Sequence, residues 1–199
     1  MIVLMNEKVP NFKNFKIEIF SQSNLPTKHI ITATSQIHGS KIVVIESGQE
    51  DISECDGFVT KNHEFTLGIR TADCSSICFG DGEKIGIAHV GWKGLCAGMI
   101  ENMFTYFDKN SEIYVGPFLH SFIIQRDFCY DEIFKKFGEK FFKIKDNQIT
   151  FDFKGAIISL LPPSAVFDGR NTETDLSLPS YRRDKTTERL ITTVSFNKK

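Results

Sequence analysis

Thr71-Ala72-Asp73-Cys74-Ser75-Ser76-Ile77-Cys78-Phe79-Gly80-Asp81-Gly82-Glu83-Lys84-Ile85-Gly86-Ile87-Ala88-His89-Val90-Gly91-Trp92-Lys93-Gly94 contains two short apolar runs with a turn between them. Ser75–Phe79 and Lys84–Val90 have strand length, and Gly80-Asp81-Gly82 fits a hairpin turn. After Val90 the period changes: Cys96, Met99, Ile100, Met103 and Phe107 recur at helical spacing. Strand, turn, strand and then helix predict a mixed α+β domain. Cys74 precedes the first strand and His89 closes the second, and both sit among small residues. Small residues let a backbone approach a ligand closely. A thiol and an imidazole at strand ends in such surroundings point to a metal site.

Upstream, Ile2–Met5, Phe15–Phe20, His29–Thr34, Lys41–Ile45, Asp56–Thr60 and Thr66–Arg70 read as further strands. Pro26-Thr27 and Asn62-His63-Glu64 read as turns, the second joining a hairpin. So regular a series of short strands predicts antiparallel pairing. Downstream, one helix is predicted from Trp92 to about Asn110, then a strand over Glu112–Val115. Tyr130, Ile133, Phe134, Phe137 and Phe141 make a second helical face, and a third helix runs from Lys154 to Leu161, stopped by Pro162-Pro163. Asp168–Asp175 is a polar loop and Arg189–Phe196 a closing strand. With no repeat or linker, residues 1–199 form one domain.

Composition is globular: 41% hydrophobic and 25% charged, with nineteen phenylalanines to fill a core. Net charge is −1 and no basic stripe stands out, which argues against nucleic-acid binding. No apolar run reaches membrane-spanning length. Met1–Met5 is too short for a signal segment, and five scattered cysteines fit a reducing compartment, so the expected location is the cytoplasm.

His38, Cys74 and His89 each have an ordinary reading alone: a turn histidine, a small buried hydrophobe, a satisfied core histidine. Together they make a set that suits zinc, with a fourth position open for water or substrate. Asp73 reads either as a general base or as a turn aspartate bonded to its own backbone. Gly91-Trp92-Lys93-Gly94 opens a helix, where backbone N–H groups and Lys93 attract anions. Arg182-Arg183 is either a phosphate clamp or a surface pair, and Arg70 either an inward-pointing cation or an edge-strand gatekeeper.

Ser35-Gln36-Ile37-His38-Gly39, Thr71-Ala72-Asp73-Cys74, Ala88-His89-Val90-Gly91-Trp92-Lys93-Gly94, Gly116-Pro117 and Ser180-Tyr181-Arg182-Arg183-Asp184 occur in that order. This series resembles the YfiH-type laccase-domain family, also called purine nucleoside phosphorylase or polyphenol oxidase family proteins. The resemblance implies a layered α/β/β/α sandwich, similar to the catalytic domain of cytotoxic necrotizing factors. It implies zinc held by His38, Cys74 and His89. It also implies phosphorolysis of adenosine, inosine, guanosine or methylthioadenosine, with adenosine deamination as a further activity. Lys93, Arg182 and Arg70 would then face substrate, Asp73 would move a proton, and the protein would act as a monomer or homodimer. The chain departs from the pattern in lacking a Thr-Arg-x-Gly-Gly-Val-Ser segment, so residues 1–27 imply a shortened pocket wall. It also has Phe118–Arg126 where the family often has one or two cysteines followed by Tyr-Glu-Val.

Rival readings share the same residues. A His₂Cys copper site would serve polyphenol oxidation, although five histidines are too few for a multicopper laccase. A zinc hydrolase editing peptidoglycan precursors would use the same metal. A closed structural zinc in a binding module would need a fourth ligand, for which Cys78 is the candidate.

Overall fold

In the computed structural model, residues 9–25 and 29–197 are described. In chain order the strands and helices are β1 (Phe15–Ser21), β2 (Ile42–Ile45), β3 (Gly57–Thr60), β4 (Thr66–Thr71), β5 (Ser75–Gly80), β6 (Ile85–Val90), α1 (Trp92–Cys96) and α2 (Met99–Met103). There follow β7 (Glu112–Val115), β8 (Phe122–Ile124), α3 (Phe128–Phe137), β9 (Phe142–Lys145), β10 (Gln148–Phe151), α4 (Phe153–Leu160), β11 (Val166–Phe167), α5 (Tyr181–Asp184) and β12 (Leu190–Phe196). The expected strand Ile2–Met5 and the turn Pro26-Thr27 lie outside the described residues.

The strands form a six-stranded sheet, β11-β7-β5-β6-β3-β2, and two three-stranded sheets, β1-β12-β4 and β8-β10-β9. Pairing is antiparallel except for β2 with β3 and β11 with β7. Side chains alternate across the six-stranded sheet, and that alternation builds two cores. Ile77, Phe79, Ala88, Val90, Ile113 and Val115 pack with Leu95, Met99, Ile100, Met103, Ile133 and Ile157 of the helices. Their neighbours Phe58, Cys78, Ile85, Ile87 and Tyr114 face Phe15, Ile17, Ile19, Leu67, Ile69 and Val194 of the sheet β1-β12-β4. Burying one such side chain is worth ~1.5–3 kcal/mol, against ~0–1 kcal/mol for a surface ion pair, so these two cores hold the layers together. The mixed α+β class is as expected. The layers that the two cores join are helices, sheet and sheet.

Several boundaries differ from expectation for local reasons. The single helix after Val90 is two short ones, because Gly98 takes φ +86° between them. Asn62-His63-Glu64 does not close a hairpin: β3 and β4 belong to different sheets, since Leu67 and Ile69 bury against the inter-sheet core. The expected strand His29–Thr34 is reduced to a single bridge, Ile31 to Leu67. The second helix ends at Phe137, before Phe141, where Gly138 adopts φ +64°. The strands β9 and β10 were absent from the sequence reading. Their turn is Asp146-Asn147, both at positive φ, as a two-residue hairpin of this kind requires.

Candidate metal centre

Cys74 lies where the chain crosses between sheets. β4 ends at Thr71 in the three-stranded sheet and β5 begins at Ser75 in the six-stranded one. Ala72-Asp73-Cys74 makes the crossing, with Asp73 at φ +79°. The β5–β6 register then sets Ser75 opposite Val90 and Ser76 opposite His89. The hairpin therefore brings Cys74 beside the end of β6. His38 arrives from the loop before β2, itself at φ +62°.

The ligand atoms of His38, Cys74 and His89 all lie within 4.8 Å of one another. That is close to the span of one coordination sphere, with donors ~2.0–2.3 Å from a shared cation. The His38 and His89 rings meet edge to face with centroids 4.7 Å apart. His38 is exposed, Cys74 half-buried and His89 buried, so solvent reaches the cluster from the His38 side.

Asp56 organises this geometry and was not singled out in the sequence. It is fully buried. Its Oδ1 accepts from His89 Nδ1 at 2.7 Å and from the His38 N–H at 3.0 Å; its Oδ2 accepts from the Gly39 N–H at 2.8 Å and the Ile37 N–H at 3.2 Å. One carboxylate thus orients His89 and folds the His38 loop. With Nδ1 donating to Asp56, Nε2 of His89 is the free ligand atom, the usual device at metal-binding histidines.

The titrating groups fit this arrangement. Burial pushes the Cys74 thiol up, but hydrogen bonds with the His38 and His89 rings bring it down to about 6. Burial pushes His89 down, and its bonds to Asp56 and Cys74 outweigh that and carry it up to about 9. Burial also raises Asp56, yet His89 and the Gly39 and His38 amides hold it below the ordinary carboxylate value. The cluster without metal is a thiolate beside an imidazolium, a negative donor already prepared for a cation.

Close packing at the site depends on glycine. A Cβ on Gly91 would meet Cys74 Sγ at 2.9 Å and His38 Cδ2 at 3.0 Å.

The cluster opens into a cavity of ≈ 530 Å³ lined also by Gln36, Arg70, Trp92, Tyr181, Arg182 and Arg189. Three arginines against the single carboxylate of Asp73 give its lining a cationic excess, which suits anions; the Arg189 Nη1 donates to the Thr186 and Glu188 carbonyls at 3.0 and 2.9 Å. Gln36 exchanges hydrogen bonds with the Arg70 backbone, at 2.8 and 2.9 Å, and Arg70 Nη2 donates to the Ala33 carbonyl at 2.7 Å. Arg70 therefore braces the His38 loop while lining the cavity. The Arg182 guanidinium stacks over Phe122 at 4.3 Å. Arg189 was not singled out in the sequence.

Four expectations change. Asp73 is not a free base: its Oδ1 accepts from Thr172 Oγ1 and its Oδ2 from the Arg182 N–H, each at 2.7 Å, so it ties α5 to the Cys74 turn. Lys93 does not line this cavity. Its Nζ lies over the Trp92 ring at 5.7 Å, in a neighbouring cleft. Arg183 does not join Arg182 in a clamp, because it donates to the carbonyls of Thr172, Glu173, Asp175 and Leu178 and holds that loop. Cys78, offered as a fourth ligand, is buried in the inter-sheet core and outside the cluster, and burial pushes its thiol up.

A family model described as multi-copper polyphenol oxidoreductase laccase matches residues 11–197. The chain belongs to this laccase-domain family. Curated relatives carry a different activity in their names. A protein of Rickettsia conorii named purine nucleoside phosphorylase is 31% identical over 172 residues, covering 77% of this chain and 70% of its own. One of Aquifex aeolicus with the same name is 28% identical over 165 residues, covering 80% and 79%. Among solved structures, a Neisseria meningitidis protein superposes with TM-score 0.80 at 19% identity over 99% of both chains. The hypothetical protein YfiH of Bacillus licheniformis does so with TM-score 0.72 at 22% identity, over 84% of this chain and 74% of that one. At these identities the two structures show a shared fold.

The family description names several coppers, whereas the described residues assemble one His-Cys-His group. Two of the other histidines are engaged elsewhere: His63 stacks on Phe196 and His120 packs against Phe118. No helix among the described residues is long and apolar enough to cross a membrane.

Proposed function

We propose that the protein is a metal-dependent purine nucleoside phosphorylase. The observation that carries this reading is a His-Cys-His cluster opening into a cavity lined by three arginines. His38, Cys74 and His89 would hold a single zinc; the soft thiolate also suits copper. When bound, the cation supplies Lewis-acid polarisation of a substrate oxygen or nitrogen.

The chain's own residues account for phosphate recognition. Arg182, Arg70 and Arg189 hold a hydrogen phosphate dianion by charge-assisted bonds. Asp73 keeps Arg182 in place through its backbone amide. Trp92 and Tyr181 supply apolar walls that exclude water beside the ribose. In the reaction a phosphate oxygen bonds to C1′ of the nucleoside as the C1′–N9 bond breaks. That electron pair stays with the purine, and the proton of hydrogen phosphate ends on the released base. Proximity and charge neutralisation are the main contributions such a site can make.

Deamination of adenosine requires no anion site, so the arginines favour phosphorolysis. A site that needs Cys74 as an unoxidised thiolate belongs in a reducing compartment, in keeping with a cytoplasmic location. The test is base release from a nucleoside panel, with and without phosphate, on metal-quantified protein. His89→Ala is expected to lose metal and turnover together. Phosphate-dependent release that persists unchanged in that variant overturns the reading.

A further inference from the structure

Tyr181 and Arg182 reach the arginine-lined cavity from α5, a helix of four residues with none of them buried. A single helical turn is marginal by propensity alone, and here no apolar face anchors it. Polar contacts therefore set its position, and Arg183 makes several of them at once. Its Nη1 donates to the carbonyls of Thr172, Glu173 and Asp175. Its Nη2 donates to the Leu178 carbonyl at 2.8 Å, and Nε and Nη2 to the two oxygens of Asp184 at 2.8 and 2.6 Å. Leu178 is buried in the inter-sheet core, so this guanidinium fastens the helix to a fixed point. The Arg183 N–H donates to the buried Ser180 hydroxyl at 3.1 Å.

These bonds close a ring. Thr172, whose carbonyl accepts from Arg183, gives its hydroxyl to Asp73 Oδ1 at 2.7 Å. Asp73 Oδ2 accepts from the Arg182 N–H at 2.7 Å, and the peptide bond from Arg182 to Arg183 completes the circuit. From this ring we infer that Arg183 is a positioning residue of the anion subsite: its donors are spent on the protein, and it sets where Arg182 presents its guanidinium to phosphate. The inference rests on the phosphorylase reading for its effect on turnover, and only on an anion-binding cavity for its effect on affinity. Lysine cannot take the same role. An ammonium is a compact donor, whereas this site uses a planar fork that reaches four carbonyls and a carboxylate. The metal ligands lie on the His38 loop, the Cys74 turn and β6, with Asp56 bonded to two of those segments, so a shift of α5 leaves the cluster assembled.

The decisive variant is Arg183→Lys, compared with wild type as zinc-loaded protein. Calorimetric binding of inorganic phosphate should weaken about 10- to 100-fold, because charge-assisted bonds depend on placement. The KM for phosphate should rise by the same factor, while zinc stoichiometry and the KM for nucleoside hold at their wild-type values. A purely structural role would lower Tm without this split. Thr172→Val opens the ring at a different bond and should weaken phosphate binding similarly. The double variant should then be no weaker than the weaker single, to within about twofold, because the ring acts as one unit. Phosphate affinity unchanged in Arg183→Lys overturns the inference, as do multiplying losses in the double variant or failure of the wild type to bind phosphate. If Arg183→Lys does not fold, Thr172→Val decides: unchanged phosphate affinity in that variant overturns the inference. If phosphate affinity falls as expected but the wild type releases no base from any nucleoside, the positioning role stands and the phosphorylase reading fails.

Discussion

Asp56→Asn separates the organising role of one carboxylate from the ligands it serves. In the native protein that group accepts four hydrogen bonds, two on each oxygen, at 2.7 to 3.2 Å. Asparagine keeps one oxygen. With that oxygen toward His89 and the His38 amide, its NH₂ faces the Ile37 and Gly39 N–H groups, donor against donor. Each buried donor left without an acceptor costs about 1–3 kcal/mol, so a loss of roughly 2–4 kcal/mol is expected after partial relaxation. For a chain of this size that lowers Tm by about 4–16 °C. The charge that held His89 is lost as well, and outer-shell changes of this kind typically weaken metal binding ~10- to 100-fold. Thermal unfolding in chelator reads the first effect, and competition for zinc against a chromophoric chelator reads the second. If the variant binds zinc within twofold of wild type, the Asp56–His89 bond does not set the site, and the reasoning is refuted.

Gly91→Ala places a methyl group against Cys74 Sγ and His38 Cδ2. Metal affinity should fall at least tenfold, with a stability cost of about 1–3 kcal/mol for overpacking, measured by the same two assays. Cys78→Ala should leave metal stoichiometry at its wild-type value and lower only stability, by about 1 kcal/mol for the lost sulfur contacts; loss of the metal would restore the closed structural site. Zinc affinity should rise with pH. Between about 6, where Cys74 is already a thiolate, and about 9, where His89 still carries its proton, binding must displace that proton. The apparent association constant should therefore climb about tenfold per pH unit through this window, more steeply below it and less above. A pH-independent constant over that range would contradict the thiolate–imidazolium state.

Part of this site was legible before any coordinates. Turn residues between two apolar runs specify an antiparallel hairpin, and the register of that hairpin carries Cys74 to the end of the strand that holds His89. His38 was chosen for its chemistry, since no local spacing links it to the others; its placement depends on Asp56, which the sequence showed only as the first residue of an expected strand. The acid stands just before β3, and the three amides of residues 37–39 that surround it are a tertiary fact. Lys93 was misplaced because helix-start logic gives a position along the chain but not which side of Trp92 the side chain takes. The Arg182-Arg183 doublet looked like one unit, yet neighbours on a short helix point apart, and one faces the cavity while the other secures a loop. The strands β9 and β10 escaped notice because their lysines and phenylalanines resemble a continuing amphipathic helix; the Asp146-Asn147 turn was the available cue.

X-ray absorption at the metal edge of the zinc-loaded protein tests the convergence of His38, Cys74 and His89 most directly. The expected spectrum fits one sulfur at about 2.3 Å and two imidazole nitrogens at about 2.0–2.1 Å, with a remaining light-atom position from solvent. A first shell without sulfur, or with two sulfurs, would contradict a cation shared by these three side chains.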